Sequence, residues 1–227
     1  MIETHRAIPA KDIKLLLWDL DGTLVNSGRD LALAINVMLR QLGRTELPLE
    51  TVVGYVGDGA PMLVRRALGE ACDETLFPRA LQIFLDHYNQ HQLDNTLAYP
   101  GIPEVLRALH ANATRRMAVL TNKPQLPSQA ICDGLGLTPY LARIIGGDSL
   151  PTKKPSPEGA ALLMQEFGAR PEETAMIGDS QNDVLTARNA GMYSIGVSYG
   201  LSPATLKIHS PDVLVDEAAE LLAVLGQ

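Results

Sequence analysis

Aromatic side chains are scarce in this 227-residue chain, where one Trp, six Tyr and three Phe make up 4% of the composition. Aliphatic packing must therefore fill its core. Cysteine is nearly absent: Cys72 and Cys132 show no Cys-x-x-Cys spacing and have no company of nearby histidines. That excludes a disulfide framework and a zinc site and leaves two small buried residues. Nor does any apolar run approach the ~18–20 residues of a membrane span. Residues 1–12 carry charges and a proline where a signal peptide needs a continuous apolar core. The expected setting is cytoplasmic. Positive charge is in deficit as well, and a net charge of −7 repels both nucleic acid and anionic membranes. Neither is expected as a partner, and an anionic small molecule needs a local positive site.

What is present is an ordinary globular balance, 46% hydrophobic and 20% charged. Short apolar runs alternate with helically spaced stretches: Lys14–Asp19, Met117–Thr121, Arg143–Gly147, Thr174–Gly178, Tyr193–Val197 and Asp212–Val215. This alternation predicts an α/β fold with a doubly wound, mainly parallel sheet. Polar chemistry in such sheets collects at the carboxyl ends of the strands. Asp19, Asp21, Thr121, Asn122, Asp148 and Asp179 all stand there.

A βαβ crossover takes roughly 30 residues, yet about a hundred separate the first run from the second. Helical patterns at Asp30–Leu42, Ala60–Leu68 and Glu74–His91 fill the gap. They predict an all-helical insertion, with residues 1–26 and 96–227 as the core and 27–95 as a cap. Ser27-Gly28-Arg29-Asp30 reads as a capping box opening the first of these helices. Val53–Pro61 reads as a glycine-rich loop between helices, and Gly101–Ala111 as the crossover helix back into the sheet.

Asp19 and Asp21 flank one apolar residue at the end of a strand, so in regular strand geometry they share a side. Two close carboxylates repel each other and phosphate, and a hard oxygen-ligating ion such as Mg²⁺ suits them. Thr121 offers a hydroxyl and Asn122 an amide to phosphate oxygens. Lys154, in a loop stiffened by Pro155 and Pro157, can set a positive charge against the phosphate and Asp19. Lys153 beside it reads as a surface residue. Asp179 and Asp183 lie four apart, facing one way if Ser180 begins a helix.

Asp19-Leu20-Asp21-Gly22-Thr23-Leu24, then Leu120-Thr121-Asn122, Lys154-Pro155 and Ile177-Gly178-Asp179-Ser180-Gln181-Asn182-Asp183 resemble, in order, the four signatures of the haloacid dehalogenase superfamily. The resemblance implies a Rossmann-like core and a phosphatase with Asp19 as nucleophile and Asp21 as acid and base. It also implies Asp19, Asp21 and Asp179 as Mg²⁺ ligands, with Asp183 orienting Lys154 or a metal-bound water.

The insertion then discriminates among relatives. It contains no lysine, which excludes a phosphonoacetaldehyde hydrolase with its cap Schiff base. Asp21 argues against a metal-free haloacid dehalogenase. The Val53–Pro61 loop and the helix after it resemble the cap of phosphoglycolate phosphatases. That likeness implies a small phosphorylated metabolite as partner, contacted by Gly57, Asp58 and Gly59 and by Arg65. Adjacent helical residues diverge by about 100°, so Arg65 and its neighbour Arg66 cannot both point inward. The alternatives are a sugar phosphomutase of the β-phosphoglucomutase type, a sugar or nucleotide phosphatase, and a catalytically idle binding or regulatory protein. The complete set Asp19, Asp21, Thr121, Lys154 and Asp179 argues against the last.

Overall fold

The computed structural model describes residues 2–226. In chain order its elements are β1 (Glu3–Thr4), β2 (Leu15–Trp18), β3 (Val25–Asn26), α1 (Gly28–Gln41), α2 (Leu49–Val53), α3 (Ala60–Leu68), α4 (Leu76–His91) and β4 (Leu97–Ala98). They continue with α5 (Ile102–His110), β5 (Arg116–Leu120), α6 (Gln125–Gly134), β6 (Arg143–Ile145), α7 (Glu158–Phe167), β7 (Thr174–Gly178), α8 (Gln181–Ala190), β8 (Tyr193–Val197), β9 (Val213–Val215) and α9 (Glu220–Val224).

The main sheet runs β1-β9-β8-β7-β2-β5-β6, parallel throughout except for the antiparallel edge strand β1. Strand β2 is central. From it the chain winds first to β5 and β6, then crosses to β7, β8 and β9, so the topological switch point lies at β2. All residues of β2 are buried, as expected of a parallel strand covered by helices on both faces. Trp18 stands opposite Val119 on one side and Ile177 on the other. Asp19, Thr121 and Asp179 therefore emerge together just past the sheet. Every anticipated core strand is present; β1 is an addition, two exposed polar residues that only pairing with β9 makes a strand.

Between β3 and β4 the chain is helical, and it packs on a cluster of its own: Leu31, Ile35, Met38, Leu63, Val64, Phe84, Tyr88 and neighbours. The short α2 was not anticipated. Strands β3 and β4, where the chain leaves and re-enters the core, pair antiparallel. The expected capping box does not form. Ser27 makes no side-chain cap on α1, and its hydroxyl donates to Asp21 Oδ1 at 2.5 Å. Asp30 instead accepts from the backbone and side chain of Asn95 and of Thr96, at 2.7–2.9 Å. Of the residues read as a local cap, Asp30 thus joins the two ends of the insertion and Ser27 turns back to the core. Of the cysteines, Cys132 is buried but Cys72 only half-buried, 3.9 Å from an Arg65 nitrogen. Among the described residues no helix is long and apolar enough to cross a membrane.

Candidate active site

Asp19 closes β2, its amide donating to Ile177 O at 2.9 Å. The chain then curls, with the amides of Leu24 and Val25 both donating to Leu20 O at 3.0 Å. Gly22 makes the curl possible at φ 84°, and a Cβ there would run into the Asp179 carboxylate. Because the strand ends at Trp18, the alternation expected to put Asp19 and Asp21 on one side does not extend to Asp21. The Asp21 carboxylate is turned to the Ser27 hydroxyl and to Lys123 Nζ, 3.1 Å from each oxygen.

Lys154 is buried with its ammonium 3.0 Å from Asp19 Oδ1 and 2.5 Å from Asp183 Oδ1. Burial alone would depress its pKa; Asp183 and Asp19 outweigh that and raise it. Asp183 Oδ2 accepts from the Ser180 amide at 3.1 Å and its hydroxyl at 2.7 Å, so Ser180 does begin α8, through a capping box. Both Asp183 oxygens are thereby engaged. Asp179 Oδ2 accepts from the amides of Leu201 and Ser202 at 2.7 and 2.9 Å.

Asp19, Asp179 and Asp183 are all buried and offer carboxylate oxygens within 4.8 Å of one another. Burial pushes Asp19 up to about 6, against the lowering effect of Lys154. Asp179 is pushed up to about 8 by burial and then by the charges of Asp183 and Asp19. Three buried carboxylates facing one ammonium lack positive charge. An oxygen-only donor set of this kind suits a hard divalent cation. Asp19 and Asp179 are the members with capacity to spare; the Asp21 carboxylate is not in the cluster.

Asp19 and Asp179 open into a pocket beneath the cap, lined also by Gly57, Gly59, Leu63, Phe84, Tyr88, Thr121 and Lys123. The Gly57-Asp58 dipeptide is gripped by two core loops and the first turn of α8. Asn122 Nδ2 and Asn182 Nδ2 donate to Gly57 O at 2.9 and 3.2 Å, and Lys153 Nζ donates to Asp58 O at 2.5 Å. The Asp58 carboxylate accepts from Asn182 Nδ2 at 2.9 Å and from Arg66. Lys153, read as a surface residue, is thus a cap contact. Asn122 also donates to Lys154 O at 3.0 Å, so its amide protons tie loops together and only its buried, unpartnered Oδ1 remains. It presents an acceptor where an amide donor was expected. Arg65 is not brought to the pocket; it pairs with exposed Glu74 at 3.1 Å and lies over the Phe77 ring.

Sequence reasoning missed Lys123 and Tyr88. Lys123 is buried, and its Nζ donates to the Tyr88 hydroxyl at 2.7 Å, linking the core to α4. A signal was available: Lys123 directly follows the strand-ending Thr121-Asn122. Tyr88 falls among the apolar residues of α4, a setting that hides its hydroxyl in the sequence.

The site and fold agree with what similarity finds. Residues 13–191 match the haloacid dehalogenase-like hydrolases. A phosphoglycolate phosphatase of Pseudomonas putida is 39% identical over 92% of this chain and 78% of its own length. One from Colwellia psychrerythraea is 40% identical over 93% and 96%. A crystal structure described as a predicted phosphoglycolate phosphatase from Haemophilus somnus superposes with a TM-score of 0.89 at 34% identity, covering 94% of this chain and 98% of that one. With the four signatures gathered at the carboxyl ends of β2, β5, β6 and β7, the chain belongs to the haloacid dehalogenase-like hydrolase family.

Proposed function

We propose that this protein is a cytoplasmic, Mg²⁺-dependent phosphatase that hydrolyses 2-phosphoglycolate to glycolate and phosphate through an aspartyl-phosphate on Asp19. The observation that carries the chemistry is Lys154, locked by Asp183 at 3.0 Å from Asp19 in a buried carboxylate cluster. The name borne by the relatives supplies the substrate.

Asp19 attacks phosphorus in line; the phosphorus–ester oxygen bond breaks, and the leaving alkoxide takes a proton from Asp21. Water, losing its proton to Asp21, then attacks the same phosphorus and returns Asp19 as a free carboxylate. Lys154 offsets the repulsion between Asp19 and the phosphate, and Thr121 donates to a non-bridging oxygen. Mg²⁺ held by Asp19 and Asp179 would add positive charge against the phosphate oxygens. Leu31, Val56, Leu63 and Phe84 wall the pocket from above and exclude water from the phosphoryl group. Asp58 and the loop it anchors position the cap.

The phosphomutase alternative needs a basic grip on a second phosphate in the cap. Arg65 and Arg66 are instead paired with Glu74 and Asp58. Phosphate release across 2-phosphoglycolate, hexose phosphates, nucleotides and pyrophosphate tests the substrate, and kcat/KM leads for 2-phosphoglycolate. Activity that survives EDTA, or Asp19→Asn, would defeat the chemistry.

A further inference from the structure

Among the described residues that line the pocket, Lys123 is the one cation. Lys154 serves the side of the site where Asp19 meets phosphorus. Lys123 lies on the other side, against Asp21, where the leaving group must sit to take its proton.

Its hydrogen bonding is incomplete for a buried ammonium, which has three N–H groups to place. One goes to the Tyr88 hydroxyl at 2.7 Å. The two Asp21 oxygens are equidistant at 3.1 Å, longer than the ~2.7–2.9 Å usual for charge-assisted bonds. That is the geometry of a single shared N–H, and it leaves one donor over. Tyr88, in accepting from Lys123, keeps its own hydroxyl hydrogen to give. Burial, against the opposing pull of Lys123, pushes Tyr88 up to about 12, so that hydrogen stays in place at neutral pH. Two donors, one from the core and one from the cap, thus converge beside an apolar wall of Leu31, Leu63, Phe84 and Leu85. Donors buried without an acceptor are costly, and a cation beside a hydroxyl matches an anion with two oxygens.

We infer that Lys123 and Tyr88 together receive a carboxylate carried by the leaving group, close to the ester oxygen. This rests on the phosphatase reading above, and it makes the Lys123–Tyr88 pair the specificity element for carboxylated phosphomonoesters. The contact spans core and cap, so the carboxylate is recognised only when the two are together.

The test compares kcat/KM for 2-phosphoglycolate with that for 2-hydroxyethyl phosphate, in which a hydroxymethyl group replaces the carboxylate. Taking the ratio cancels whatever Lys123 contributes through Asp21 to both esters. The wild type favours 2-phosphoglycolate; Lys123→Met lowers the ratio about 10- to 100-fold and Tyr88→Phe about 3- to 10-fold. Lys123→Arg keeps the charge and retains part of the preference. Should Lys123→Met fail to fold, the Tyr88→Phe ratio decides. A ratio unmoved by these substitutions, or a wild type indifferent to the carboxylate, overturns the inference while phosphatase activity stands. A wild type that with Mg²⁺ hydrolyses neither ester nor p-nitrophenyl phosphate brings down the phosphatase reading itself, and the inference with it.

Discussion

Asp183 holds Lys154 in place: one carboxylate oxygen meets the ammonium at 2.5 Å while the other caps α8 through Ser180. The first turn of a helix thereby fixes a charge on a loop 29 residues earlier in the chain. Asp183→Asn retains the cap's acceptor oxygen but removes the charge that orients Lys154. The expected result is a fall in kcat of about 100-fold for p-nitrophenyl phosphate, with KM little changed. A loss confined to KM would contradict a positioning role.

Asp179 and Asp19 titrate high, near 8 and 6, and a cation must displace those protons to bind. The apparent affinity for Mg²⁺ therefore weakens as pH falls below about 8 and weakens more steeply below about 6. Isothermal titration calorimetry in buffers of different ionisation enthalpy measures the protons released. Binding that is independent of pH between 5 and 8 would refute the assignment.

The same carboxylates shape the stability of the metal-free protein. Their folded pKa values lie above the unfolded value of 3.8, so between about pH 4 and 8 the native state binds more protons than the unfolded one. Stability in EDTA accordingly falls as pH rises through that window, while Mg²⁺ restores it at the alkaline end. Melting temperatures at pH 6 and pH 8, with and without Mg²⁺, check the sign. For a chain of this size each kcal/mol moves Tm by about 2–4 °C.

Gly59 combines a φ of 85° with close approach to the core, where an added Cβ would stand 2.8 Å from Asn122 O. Gly59→Ala strains the backbone and pushes the cap loop off its seat. An activity loss of about tenfold or more is expected, with the far-ultraviolet circular dichroism of the native protein retained. Full activity would show that the loop contact is dispensable.

Asp30 collects hydrogen bonds from both Asn95 and Thr96 at the point where the insertion rejoins the core. Asp30→Ala leaves two backbone amides without that acceptor and is expected to destabilise by about 2–4 kcal/mol in urea unfolding. A change under about 0.5 kcal/mol would place the restraint elsewhere.

Much of this was legible in one dimension because it depends on local pattern. The run Leu15–Trp18 announces a strand buried on both faces, and Asp19, Thr121, Lys154 and Asp179 each stand at a strand end or in the loop beyond it. Helices α1, α3 and α4 of the insertion follow from apolar spacing, correct to within about two residues at their ends, while the one-turn α2 is too short to show a period. What was illegible depends on partners far away in the chain. Ser27 and Asp30 looked like a local cap because their spacing is that of one, yet Asp21 and Thr96 claim them. Arg65 looked available for substrate because nothing in its neighbourhood names Glu74 and Phe77 as its contacts.

Only through its resemblance to a known family did the sequence name Asp19 as the nucleophile to expect; by itself it determined the fold class and the order of the four signatures. Short-range chemistry suffices for that: strand ends, turn residues and donor types are written in consecutive positions. Tertiary structure alone decided which side chains are engaged and which are open. It commits both Asp183 oxygens, consumes the Asn122 amide protons, turns Asp21 toward Ser27 and brings Lys123 against Tyr88. The physical reason is burial, since a charge or hydrogen-bonding group removed from water must find its partner wherever the packed chain supplies one.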